Sequence, residues 1–224
     1  METIQKHRGP HPGVVASVFA FLFITGLSFV VSMNGRQPFF PGPWESAETI
    51  ATYFQNNPKD VLWCAFFQFG SAIPLGIFTA TMTSRIRFLG GRVAGVDIAM
   101  FGGWFTAFSI VVSSMILWTM SYPGIASDVN VLRALYYLSF GIGGVGYSVP
   151  LGLLIAGISV TSFFMKTLPK WLTITGFVLA MVGEVSFFTL VNESFLPLIP
   201  LTRFPGFIWL IIAGFKLPNA KLRE

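Results

Sequence analysis

Two carboxylates fall inside apolar stretches long enough to lie in a bilayer, and theirs are the residue types and positions that could do chemistry. Glu184 sits within KWLTITGFVLAMVGEVSFFTLVNE, residues 170–193, and Asp97 sits near the start of a second run, VAGVDIAMFGGWF. An acid at mid-bilayer costs several kcal/mol unless it is paired, protonated or hydrated, so such residues face a bundle interior or a cavity. Glu184 precedes Glu193 by nine residues, which puts it roughly 13 Å below the outer end of its helix at about 1.5 Å per residue. At similar depth on other runs stand Gln68, Ser113, Ser114 and Ser139. Above them lie Arg133, Tyr136, Tyr137 and Arg203, whose stems are long enough to reach inward. One arrangement is a polar pocket in the outer half, with Glu184 at its floor and Arg133 or Arg203 as counter-charge. The other is a clamp, in which Glu184 bonds Gln68 or an arginine and only holds helices together. Contact with an arginine decides between them. Asp97, in the first turns of its helix, is expected to form a structural ion pair with Arg92 or Arg85.

Several chemistries are excluded at once. Both histidines, His7 and His11, precede the first apolar run, so no haem or histidine-rich metal site lies in the membrane and no serine, histidine and acid triad can be assembled. Cys64 is the sole cysteine, which rules out an internal disulfide and a cysteine-built metal site. Gly141, Gly143 and Gly146 spell G-x-G-x-x-G, but inside an apolar stretch with no preceding strand they read as packing rather than nucleotide binding. No catalytic residue, cofactor or metal is assigned, and the chain is read as non-enzymatic. Net charge is +5. Its basic residues cluster between apolar runs, a pattern that orients a membrane protein and argues against nucleic acid as a partner.

These residues need a membrane-spanning frame. Hydrophobic residues make up 54% of the 224 and charged ones only 10%, with a mean hydropathy of +0.72. A soluble domain carries about 25% charged residues. Six runs reach the roughly 20 residues that a bilayer core requires. They are 13–33, 61–83, 93–120, 129–165, 170–193 and one around 204–215, the last short unless 196–201 also enters the membrane. The first follows Lys6 and Arg8 but is long for a signal peptide and lacks a small-residue cleavage site, so it reads as a retained span. The fourth is too long for one straight span, and its middle, FGIGGVGYSVPLG, predicts a break or kink. Pro74 predicts a kink in the second. Outer links are expected at about 34–60, 121–128 and 192–203. In the first, Ser46 can cap a short surface helix with Ile50, Tyr53 and Phe54 on one side. Trp44, Trp63, Trp118 and Trp209 at outer ends and Trp171 at an inner end resemble an aromatic belt.

Ten of the 14 basic residues fall on the side of both termini, so the positive-inside rule puts both termini in the cytoplasm. The expected fold is an all-α bundle of six transmembrane helices in a single domain.

In the last third, LPKWLTITGFVLAMVGEVSFFTL, LPLIP and FPGFIWLIIAGFKLP resemble a family of bacterial membrane proteins of about six helices, known only as a domain of unknown function. That likeness, over roughly residues 168–218, implies a bacterial inner membrane and six spans, and it supplies no activity. The leading expectation for function is therefore a protein that binds or moves a small molecule through an outer-facing pocket comprising Glu184, Gln68, Arg133, Arg203, Ser113, Ser139 and Tyr136. Alternatives are an accessory or assembly subunit, partnered by another membrane protein or a second copy, and an intramembrane enzyme acting on lipid.

Overall fold

The computed structural model describes residues 4–31 and 40–222. In chain order these form β1 (Ile4–Lys6), α1 (Pro12–Val30), α2 (Ala47–Asn56), α3 (Pro58–Phe88), α4 (Ala94–Met120), α5 (Pro123–Ala126), α6 (Val129–Gly143), α7 (Val145–Met165), α8 (Lys170–Val185), α9 (Leu198–Lys216) and β2 (Ala220–Leu222). Short 3₁₀ turns, Ser186–Leu190 and Glu193–Phe195, join α8 to α9. Among the described residues, six stretches are long and apolar enough to cross a membrane, with α6 and α7 forming one of them. The bundle is all-α apart from the two three-residue strands.

The spans form a closed ring. Each packs against the next in sequence, and α9 returns to α1 while also touching α7. The α6–α7 stretch is the most enclosed, 61% buried against 44% or less for the other five. Its Leu151, Leu154, Ile155 and Ile158 are fully buried with Phe19, Leu75, Phe78 and Leu210. Lipid offers no hydrophobic incentive for one helix to leave it for another, so close packing must hold these helices together. Small residues permit that approach. A Cβ on Gly157 would stand 2.3 Å from the Gly95 carbonyl oxygen, and one on Gly102 would stand 2.5 Å from the Leu154 amide nitrogen, so α4 and α7 meet backbone to backbone.

Both prolines expected to bend helices lie inside them, Pro74 in α3 and Pro150 in α7. Proline at 150 cannot donate to the carbonyl four residues earlier. Ser109 of α4 donates to that Gly146 carbonyl at 2.6 Å, so the interrupted bond is replaced by one between helices. The fourth span breaks as its glycines predict. Gly144 leaves helical geometry at φ −92° and ψ −90°, separating α6 from α7.

Some expectations shift. The sixth span begins at Leu198 rather than near 204, which lengthens it to 19 residues. The fifth is α-helical only to Val185, so Glu184 occupies the last turn of α8 rather than a mid-helix position. Trp209 is not in an interfacial belt; it is buried and donates its indole N–H to the Leu172 carbonyl at 2.8 Å, tying α9 to α8. Asp97 pairs with Arg87 rather than Arg92 or Arg85, and both partners are exposed. Arg85 is instead buried, donating to the Leu217 carbonyl at 3.4 Å. The expected surface helix is α2, where Ser46 accepts from the Thr49 amide and Ile50, Tyr53 and Phe54 are buried together. Arg36 and the rest of 32–39 lie outside the described residues.

At the basic end β1 and β2 pair antiparallel, Gln5 opposite Lys221, which places the two ends of the described chain side by side. His7 continues the clasp: its amide donates to the Asn219 carbonyl, and its Nε2 lies 3.1 Å from the Ser84 hydroxyl. Burial, then the nearby Arg85 guanidinium, holds the imidazole below its ordinary 6.5. A depressed histidine value means the fold favours the neutral ring. The associated stability is present above 6.5 and is lost as pH falls through the lower folded value.

Two outcomes are expected. Gly157→Ala should lower stability by about 1–3 kcal/mol by forcing α4 from α7, whereas Gly70→Ala, which meets no atom within 4 Å, should be neutral or stabilising; thermal unfolding in detergent distinguishes them. Acidification below pH 6.5 should raise amide hydrogen exchange at residues 5–7 in the unsubstituted protein but not in His7→Gln.

Candidate functional site

At the end opposite the paired strands, beneath the segment 40–45, the helices surround a partly open cavity of about 450 Å³. Residues from α1, α3, α4, α6, the start of α7, α9 and the link segment 40–45 line it, and none comes from α8. The structure brings together five of the seven sequence-predicted residues here: Gln68, Ser113, Tyr136, Ser139 and Arg203.

Glu184 and Arg133 do not belong to it. Glu184 lies where α8 crosses the outer half of α7, its Oε1 3.1 Å from where a Cβ on Gly152 would stand. The same close approach places the Gly183 Cβ position 3.0 Å from the Gly152 Cα. That packing turns the carboxylate toward α7, and its buried Oε1 has no hydrogen-bond partner. Glu184 therefore bonds neither Gln68 nor an arginine, and neither the expected clamp nor the expected pocket floor is formed by it. Arg133 is exposed, with its guanidinium 5.9 Å from the Tyr137 ring centroid.

Two charged residues line the cavity, Glu45 in the link segment and Arg203 from α9. Arg203 enters from the second turn of α9 and donates through Nη2 to the Gly143 carbonyl, the last residue of α6. That carbonyl sits at a helix C-terminus, where the peptide dipoles concentrate partial negative charge. The guanidinium lies 4.7 Å from the Tyr147 ring centroid and 5.3 Å from that of Phe23, within cation–π range. Its Nε is buried and unpartnered, and no carboxylate pairs with it among the described residues.

Beside it α6 and α4 are joined by the Ser139 hydroxyl, which donates to the Ser113 carbonyl at 3.1 Å. Ser113 donates in turn to the Ile110 carbonyl at 3.2 Å. Both hydroxyl oxygens keep acceptor capacity. The Gln68 side chain shows no hydrogen bond among the described residues.

The outer link closes the top. Tyr136 donates its hydroxyl to the Pro41 carbonyl, and Phe40 packs edge-on against Tyr53 and Tyr136. Trp44 meets Phe140 edge to face at 5.7 Å. Glu45 accepts from the Gly42 amide at 3.0 Å, which shapes the turn and leaves a carboxylate at the mouth. Burial, then Asp60 and Cys64, pushes the Tyr53 phenol up to about 12, so it stays protonated and donates to the Val30 carbonyl. Neither the link residues nor Tyr147 was assigned to the pocket from the sequence, where Trp44 was read only as part of an aromatic belt. An aromatic residue beside the predicted helix break was the available signal for Tyr147, whereas nothing local marks Phe40–Glu45 as a cover.

If Tyr136 latches this cover, its loss should open the cavity. In a Cys64→Ala background, Ser139→Cys should react with a small water-soluble thiol reagent, and adding Tyr136→Phe should speed labelling about fivefold, the equivalent of one lost hydrogen bond. Labelling at an unchanged rate would show that the latch does not control access. Comparisons with protein-family models, with curated proteins and with solved structures gave no match.

Proposed function

We propose that this multi-pass membrane protein binds or moves a small molecule through an outer-facing pocket built around Arg203, with Gln68, Ser113, Ser139 and Tyr136 beside it. The observation that carries the reading is the guanidinium itself. A half-buried cation within a membrane span is costly, and such residues mark ligand or ion pathways. Arg203 lines a cavity of about 450 Å³ without a carboxylate partner among the described residues. That volume lies in the range of small-molecule sites.

The setting also supports the reading. The cavity opens at a break in a membrane helix, and irregular backbone at membrane depth is tolerated where it is buried in protein or lines a cavity. Three spans carry internal prolines, Pro74 in α3, Pro150 in α7 and Pro205 in α9, where changes in helix shape would open a path to the other side. The concentration of basic residues at the end of the paired strands supports a cytoplasmic location for that end. With the resemblance over residues 168–218, it supports a bacterial inner membrane. The role is read as binding or transport, not catalysis. Asp97 lies in an exposed ion pair and Glu184 between α7 and α8, so these two acids do not converge on one reaction site.

Thermal stabilisation of the purified protein across a metabolite panel tests this assignment. A ligand shift should persist in Glu184→Gln and be lost in Arg203→Lys, because an ammonium cannot reproduce the guanidinium fork. A shift lost in Glu184→Gln but retained in Arg203→Lys would move the site to the α7–α8 contact.

A further inference from the structure

The cavity constrains what it can hold. Arg203 lines it with a guanidinium of five donors, of which one N–H on Nη2 is committed to the Gly143 carbonyl; the Nε is buried away from the cavity, and Nη1 makes no hydrogen bond among the described residues. Partial negative charge from the end of α6 and the faces of Tyr147 and Phe23 offset the cation only in part. An anionic oxygen would complete it with charge-assisted hydrogen bonds. A second feature points the same way. Gly144 caps the N-terminus of α7 and, with Tyr147 in its first turn, lines the cavity, so the positive end of a helix dipole lies beside the guanidinium.

Away from Arg203 the walls are largely apolar, with Leu27, Ile110, Leu117 and Ile199 among them, and they suit a hydrocarbon or aromatic body. At the mouth stands Glu45, whose negative charge opposes a second negative charge on anything that enters.

We infer that the ligand of this pocket is an amphipathic organic monoanion, its charged head held by Arg203 and its apolar body lying along the aliphatic and aromatic walls. This inference rests on the binding role proposed above and names the chemistry that the site selects. A free carboxylic acid and the phosphodiester head of an anionic lipid share that chemistry.

The test uses the full chain in phosphatidylcholine nanodiscs and three probes of one shape: 3-phenylpropionate, its neutral amide and 3-phenylpropylamine. Calorimetric titration at pH 7.5 should show the carboxylate binding about tenfold or more tightly than the amide, the difference expected from hydrogen bonds to a charged group, with the amine weakest. Phenylsuccinate, a dianion, should bind more weakly than phenylpropionate, and Glu45→Gln should narrow that gap. Because loss of Arg203 also strips the donor from the Gly143 carbonyl, the deciding comparison is made on the unsubstituted protein. In Arg203→Gln, which keeps an amide donor, the preference for acid over amide should collapse. Amide binding equal to the acid would overturn the anion assignment and leave the pocket intact, whereas no binding by any probe would overturn both. Replacing a third of the phosphatidylcholine with phosphatidylglycerol then separates the sources. Weakened phenylpropionate binding identifies the lipid head as the occupant, and unchanged binding identifies a free molecule; either supports a monoanion site.

Discussion

The contact between Arg203 and the Gly143 carbonyl is the constraint around which the outer half is arranged. A helix that stops within the membrane exposes carbonyls that lipid cannot satisfy, and each unsatisfied group costs several kcal/mol. At Gly143 the donor comes from α9, so the break between α6 and α7 is stabilised only while α9 stands beside it. The exchange works in both directions. A guanidinium buried without any acceptor would be costly as well, and the end of α6 supplies one together with its dipole. The cavity lies beside this break, with Gly143, Gly144 and Arg203 all among its lining residues.

A second interrupted backbone bond is handled in the same manner a few residues on. Pro150 removes the donor to Gly146, and Ser109 of α4 replaces it. The two repairs come from opposite neighbours, one from α9 and one from α4, and together they fix the α6–α7 span in the middle of the ring. Close backbone approaches at Gly102, Gly157, Gly183 and Gly152 then hold the span against α4 and α8. Packing and polar repair thus act on the same helix, which accounts for its being the most enclosed of the six.

Much of this frame was legible in the residues because bilayer thickness sets span length and lipid forbids open backbone. Six spans, a capped surface helix at Ser46 and a break among the glycines all follow from those two conditions. The site was legible only in part. Counting residues gives a height along the membrane normal, and at that height Gln68, Ser113, Ser139 and Glu184 are level. Height does not give direction around the helix axis, which depends on packing partners. Gly176 and Gly183 set the face of α8 that meets α7, and Glu184 follows Gly183 onto that contact. Arg203 was placed at the right height, but in an outer link just before a helix expected from about 204; in the structure α9 begins at Leu198 and carries it. The cover at Phe40–Glu45 is held by long-range contacts, Tyr136 to Pro41 and Trp44 to Phe140 among them, and no local pattern announces such contacts.

The pairing of residues 4–6 with 220–222, together with α1 lying against α9, has a consequence for assembly. α1 finds one of its two neighbours only after the four spans between them and α9 itself have been made. Until then the face of α1 around Gly13, where it will meet Gly214, is open to lipid or to another protein. The Gly143 carbonyl waits equally long for Arg203. Insertion of α9 therefore closes the ring, completes the broken helix and brings Arg203 to the cavity in one step, so an intermediate lacking that span would have neither a sealed bundle nor a charged cavity.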